Sequence, residues 1–168
     1  INIMKKKNYP LIRLLEKGTG NFIKGTSTSL SYDNLRTVIF KIGGQLATLG
    51  IKPGDSVGIV TPNGPEAATI FVAIASFATA APLNPSYTKD EFKFYLQDLE
   101  AKVLIVLEND PSESIVAAHE LNIRVIKIRT QNLPGEITLT INSKIIESST
   151  SRFNGAQDIG LVLHTSGT

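Results

Sequence analysis

Short, largely apolar runs alternate with segments of helical periodicity through most of this chain, and few folds accept that alternation. Residues 57–60, 80–83, 103–107 and 123–128 are such runs, and residues 159–163 add one more near the end. A strand buried on one face reads apolar and polar in turn. These runs are nearly continuous, as strands covered on both faces are. Strand and helix in repeated succession with short connections imply right-handed crossovers and a parallel sheet. The expected class is α/β, with mainly parallel sheet or sheets flanked by helices.

The helices are marked by their ends. Leu11, Leu14 and Leu15 make residues 9–17 a short amphipathic helix. Ser31 can cap a helix over residues 32–49 that carries Leu35, Val38, Ile39, Ile42 and Leu46 on one face, with Gly50 suited to the position after it. Lys52-Pro53-Gly54-Asp55 has turn chemistry. Asn63 with Glu66, and Thr88 with Glu91, have capping-box spacing. Asp110-Pro111-Ser112-Glu113 reads as a third start, with Pro at the first helical position. Residues 131–135 form a loop, 137–141 are expected to be an edge strand, and 148–157 an exposed connector.

Composition narrows the function classes. Hydrophobic residues at 42% and charged residues at 19% are ordinary for a globular domain, so disorder is excluded as the general state. The net charge of +2 is too small to argue for nucleic acid or an anionic membrane surface. With no cysteine, there are no disulfides, zinc–thiolate sites or thiol nucleophiles. Residues 67–83 lack charge, but the run is Ala-rich, ends near Pro82 and falls short of the about 20 residues a bilayer span needs; a buried helix accounts for it. No signal-peptide run follows Lys5-Lys6-Lys7, because Arg13, Glu16 and Lys17 interrupt.

The chain closes on His164-Thr165-Ser166-Gly167-Thr168 after an apolar run. Small residues let backbone N–H groups approach phosphate oxygens, and the three hydroxyls add donors. Ligands of open α/β sheets sit at the carboxyl ends of strands, where such a loop lies. Alone, the tetrapeptide is only a turn. It is not a Walker A loop, since no Gly-Lys-Ser/Thr follows within the chain.

These residues nevertheless resemble the first half of the Thr-Ser-Gly-Thr-Thr-Gly-x-Pro-Lys-Gly loop of the adenylate-forming superfamily, which comprises acyl-CoA synthetases, luciferases and peptide-synthetase adenylation domains. Four further landmarks stand in the same order. Leu30-Ser31-Tyr32-Asp33-Asn34-Leu35 is similar to an early Leu-Thr/Ser-Tyr-x-x-Leu motif, and residues 50–57 to a Gly-x-x-x-Gly-Asp-x-Val turn. Asn63-Gly64-Pro65-Glu66 is similar to an Asn-x-x-Glu helix start, and Pro82-Leu83-Asn84-Pro85 to a Pro-x-Asn-Pro segment. Most of these are scaffold: Tyr32 packs, Asp55 serves its turn, and Asn84 ties down a loop backbone. Residues 81–96, with Glu91-Phe92-Lys93-Phe94-Tyr95-Leu96, and the His before Thr-Ser-Gly-Thr resemble the oxalate–CoA ligase branch. Phe92, Tyr95, Leu96 and Leu99 have helical spacing, so packing explains them without a substrate role.

The resemblance implies an ATP-dependent acid–thiol ligase that forms an acyl-adenylate and passes the acyl group to coenzyme A; oxalate, a 4-coumarate-like acid and a medium-chain acid all stay open as its carboxylate. It implies Thr165, Ser166, Gly167 and Thr168 as ATP-phosphate ligands, with His164 a candidate beside them; His119 is expected at the surface. The family's loop lysine, Mg²⁺-binding glutamate and catalytic lysine lie downstream of this loop, so no catalytic or metal residue is expected here. Residues 1–168 are then an incomplete amino-terminal AMP-binding domain, inactive alone, with 1–10 a candidate disordered lead and Met4 a candidate initiator. Expected partners are ATP, coenzyme A and a small carboxylate, with no nucleic acid and no membrane span. The expected compartment is the cytoplasm, with the peroxisome as the alternative. A non-catalytic α/β nucleotide- or ligand-binding module and an inactive truncated product are the competing readings.

Overall fold

The computed structural model describes residues 11–164. A short helix, α1 (Leu11–Glu16), leads into a hairpin, β1 (Asn21–Lys24) and β2 (Ser29–Ser31), that the sequence signals do not announce. The main sheet follows: α2 (Tyr32–Thr48), β3 (Ser56–Val60), α3 (Pro65–Phe77), β4 (Thr79–Leu83), α4 (Lys89–Asp98), β5 (Val103–Leu107), α5 (Ser114–Glu120), β6 (Arg124–Thr130), β7 (Ile137–Ile141) and β8 (Lys144–Ile145).

The order across the sheet is β4-β3-β5-β6-β7-β8. The first four are parallel, β7 runs antiparallel to β6, and β8 runs antiparallel to β7. The expected α/β class holds, with one refinement: β7 is not the edge, because β8 lies outside it. Alternate strand residues face opposite ways. Val57, Ile59, Val103 and Ile105 meet α2 and α3 on one face, while Leu104 and Val106 meet α4 and α5 on the other. Both faces are covered, as the continuous apolar runs require. Among the described residues no helix is long and apolar enough to cross a membrane.

Several end signals work as read. The Ser31 hydroxyl accepts from the Asn34 N–H at 3.1 Å, and Thr88 and Glu91 complete a reciprocal capping box. Gly50 and Gly54 have φ of 82° and 89°, and Asp55 accepts from the Lys52 N–H at 3.0 Å. Asn84 accepts from the Ser86 N–H at 2.9 Å, and Tyr32 packs edge-on to Phe22. Two signals fail. The cap of α3 is Gly64 with Pro65 behind it, and Glu66 reaches away from Asn63 to accept from the Gly135 N–H at 3.4 Å. Asp110 accepts from the hydroxyls of Ser112 and Ser114, which closes a turn and delays α5 to Ser114. In both cases the carboxylate found a partner other than a free helix N–H, and either satisfies it.

Two glycines in the middle of α2 show tertiary packing overriding propensity. Each costs about 1 kcal/mol relative to alanine in a helix. A Cβ on Gly43 would lie 2.3–2.5 Å from three atoms of the Phe77 ring, and one on Gly44 would lie 2.7 Å from Ser148 Cβ and Ser149 O. Phe77 cannot retreat, because it is buried and stacked on Phe153 at 4.4 Å. Gly43→Ala is therefore expected to destabilise by a net of about 1–3 kcal/mol despite its better propensity. A rise in the urea midpoint of that variant would contradict this packing argument.

The exposed face of the α4–α5 pair carries charge. Glu120 bonds Lys93 at 2.8 Å and Lys89 at 2.9 Å. Those hydrogen bonds hold the Glu120 carboxyl below its ordinary range, and the Thr88 N–H does the same for Glu91. Arg129 does so for Glu108. Carboxyls lowered in the folded state add stability above the unfolded value, about 4.3, and lose it as pH falls through the folded value. The thermal midpoint should therefore fall on acidification from neutral pH, and fall less in Glu120→Gln. The difference between the two proteins should shrink at high salt, because the groups are exposed.

Candidate functional site

The chain after β8 crosses back to the free edge of β4, and one asparagine sets its path. Asn154 is 7% exposed. Its Nδ2 donates to Ala75 O at 2.9 Å and Ala78 O at 2.7 Å, while its backbone N–H donates to Ser76 O at 2.8 Å. These are the carbonyls that the carboxyl end of α3 leaves open. Phe153 packs beside it, edge-on to Phe40 and stacked on Phe77. The expected exposed connector over residues 148–157 is thus corrected: its middle is an anchor, held because α3 ends without a glycine cap of its own.

Beyond the anchor, Thr79 Oγ1 donates to Ile159 O at 2.7 Å, Ala80 N–H to Gly160 O at 3.0 Å, and Val162 N–H to Ala80 O at 2.9 Å. The expected strand over residues 159–163 is therefore one parallel bridge, Leu161 to Ala80. Nor is it buried: Ile159 and Leu163 are each 61% exposed and Leu161 is 40% exposed. The segment pairs on one side only, and apolar side chains at alternate positions face away from the sheet's core.

This segment delivers His164. Its Nε2 lies 3.0 Å from Asp98 Oδ2, and its ring lies 4.7 Å from that of Tyr95. Tyr95 is stacked in turn on Tyr87 at 4.9 Å. The His164 Nδ1 is buried without a protein partner. His164 is thus tied to α4 by residues far away in sequence, immediately before Thr165. No local spacing announces Asp98, because the contact spans 66 positions. Thr165, Ser166, Gly167 and Thr168 lie outside the described residues. His119 is exposed on α5.

Two other motif segments converge. Asn63, from the β3–α3 turn, and Pro82-Leu83-Asn84-Pro85, from the end of β4, line a cleft of about 340 Å³ with Ile59, Thr61, Ala67 and Phe71. It sits at the carboxyl ends of two parallel strands, where open α/β sheets take their ligands. The reversal of strand order falls next door, since β3 has β4 on one side and β5 on the other. Among the described residues no group of three or more His, Cys, Asp or Glu side chains could hold a metal ion.

The family model described as AMP-binding enzyme matches residues 15–168. The chain belongs to that family. The oxalate–CoA ligase of Arabidopsis thaliana is 35% identical over 144 residues, covering 83% of this chain and 28% of that protein. The probable CoA ligase CCL9 of Humulus lupulus is 32% identical over 171 residues, covering 96% of this chain and 33% of that protein. The chain thus spans a third or less of the length of these two relatives. Among solved structures, apo MatB from Rhodopseudomonas palustris matches with a TM-score of 0.72 at 20% identity, over 95% of this chain and 32% of that one. At that identity the likeness concerns the fold alone.

Proposed function

We propose that this chain is the amino-terminal part of an ATP-dependent acid–thiol ligase whose carboxylate substrate is oxalate. The family match running through residues 165–168 carries the reading, and the oxalate–CoA ligase relative supports the substrate. A carboxylate oxygen attacks the α-phosphorus of ATP and pyrophosphate leaves. The thiol of coenzyme A then attacks the acyl carbonyl of the adenylate and AMP leaves. Thr165, Ser166, Gly167 and Thr168 hold the β- and γ-phosphates through backbone N–H groups and hydroxyls; His164 roots the loop on α4 through Asp98 and Tyr95. The protein's work is positioning and charge stabilisation. Mg²⁺ would supply neutralisation of phosphate charge when bound.

The test is ATP–pyrophosphate exchange by the protein expressed through the remainder of the family's length. Oxalate, 4-coumarate and a long-chain fatty acid serve as alternative carboxylates. Exchange with oxalate is expected, together with a loss on the order of 10²–10³-fold in kcat/KM when Thr165, Ser166 and Thr168 are all replaced by alanine. Exchange that prefers another acid overturns the substrate. Absence of exchange with every acid overturns the activity. The 168-residue chain alone is expected to show no exchange above a heat-killed control.

A further inference from the structure

The largest cleft among those described is at the other end of the sheet. It measures about 480 Å³ and is lined by Gly43 and Ala47 of α2, the turn Gly50-Ile51-Lys52-Pro53, Phe77, and Thr150-Ser151-Arg152. The turn feeds the amino end of β3, so this cleft lies away from the carboxyl-end cleft. Its volume falls in the ordinary range for small-molecule sites, about 300–1,000 Å³.

Its polar side chains, Lys52, Thr150, Ser151 and Arg152, all carry donors. Among the described residues neither the Lys52 ammonium nor the Arg152 guanidinium has an ion-pair partner. Asp55, the acid of the same turn, accepts from the Lys52 backbone N–H instead. A third cation stands close by, since Arg124 donates to Leu49 O at 2.7 Å. The hydroxyls of Thr150 and Ser151 add donors that need no charge. Lys52, Arg152 and Arg124 outnumber the turn's own carboxylate, Asp55, and low-dielectric walls focus the positive potential that is left. Those walls are Ile51, Pro53 and the Phe77 ring. A solvated basic face would need no concavity, and a packing defect would need no cations.

We propose that this cleft binds an amphiphilic organic anion. Lys52 and Arg152 hold a carboxylate or phosphate head, and a flat apolar body rests on Ile51, Pro53 and Phe77. The site is independent of the ligase reading, and its test uses no turnover. Purified ¹⁵N-labelled protein is titrated with 1-naphthyl phosphate, 1-naphthoate, inorganic phosphate and 1-naphthol at low salt, and backbone amide shifts are followed. Saturable shifts confined to residues 43–53 and 150–152 are expected with the naphthyl anions, and the tighter of the two identifies the head group.

Lys52→Gln and Arg152→Gln should each weaken binding about tenfold, the worth of one charged hydrogen bond. Ala47→Leu should block it by filling the cleft while leaving its charge intact. Lys52 and Arg152 are exposed, so their variants should keep the parent spectrum elsewhere. The proposal is overturned if neither naphthyl anion saturates or if both glutamine variants bind like the parent. It is equally overturned if inorganic phosphate or 1-naphthol binds as tightly as the naphthyl anions, or if the shifts fall on the exposed Phe94 and Leu163.

Discussion

Replacing Gln45 with leucine should lower the stability of the fold by about 2–5 kcal/mol, although a leucine would suit the apolar face of α2 on which it sits. Gln45 is fully buried. Its Oε1 accepts from the Leu139 N–H at 3.0 Å, and its Nε2 donates to Ile146 O at 2.6 Å, Thr138 Oγ1 at 3.1 Å and Leu139 O at 3.2 Å. Leu139 also accepts from the Ile146 N–H through its carbonyl. The side-chain amide therefore stands in for a peptide unit between β7 and the chain leaving β8. Leucine would orphan the Leu139 N–H and the Ile146 carbonyl where water cannot reach them, at about 1–3 kcal/mol each. The added apolar contact returns about 1 kcal/mol of this. The urea midpoint should fall with an unchanged slope. Gln45→Glu is the sharper variant. It keeps the acceptor but turns a carboxylate oxygen toward two carbonyls, so its deficit should grow as pH rises past the ordinary carboxylate range. A leucine variant within about 0.5 kcal/mol of the parent would mean that Leu139 and Ile146 find other partners.

Asn154→Ala is the second large effect, at about 2–4 kcal/mol. One Nδ2 serves both Ala75 O and Ala78 O, and alanine leaves those two buried carbonyls without that donor. The variant keeps the backbone bond to Ser76 O, so α3 should persist while the chain beyond it loosens. Exchange of the Val162 N–H, bonded to Ala80 O at 2.9 Å, should therefore accelerate more than exchange in β5. Equal acceleration in both places would show a global effect and would remove Asn154 from its role in setting the path to His164. Asn154→Asp should be worse than alanine at neutral pH, since it sets an acceptor-only carboxylate against two carbonyls.

The core of the α/β order was readable because its signals are short-range. Ser31, Gly50, Asp55, Asn84 and the Thr88–Glu91 pair act on groups within three residues, and each does what its spacing announces. The same reading failed where a side chain had a distant option. Glu66 went to Gly135 rather than back toward Asn63, and Asp110 closed a turn on Ser112 and Ser114. The run over residues 159–163 was apolar enough for a strand but has a neighbour on one side only, so hydrophobicity did not translate into pairing or burial.

The proposed phosphate-loop residues Thr165, Ser166, Gly167 and Thr168 were read from the order of motifs, and that assignment rests on sequence alone. What precedes them is the reverse case. That His164 meets Asp98 and Tyr95, and that Asn154 closes α3 from 76–79 positions away, follows from no local pattern. Local periodicity and caps determined α2 to α4, the strands β3 to β6 and their parallel run, because those choices depend on residues one turn or one pleat apart. Tertiary structure alone decided the polar stitches and the two clefts. A buried amide, carboxylate or imidazole takes whichever partner the completed packing brings within 3 Å or so, and the distance along the chain does not enter that choice.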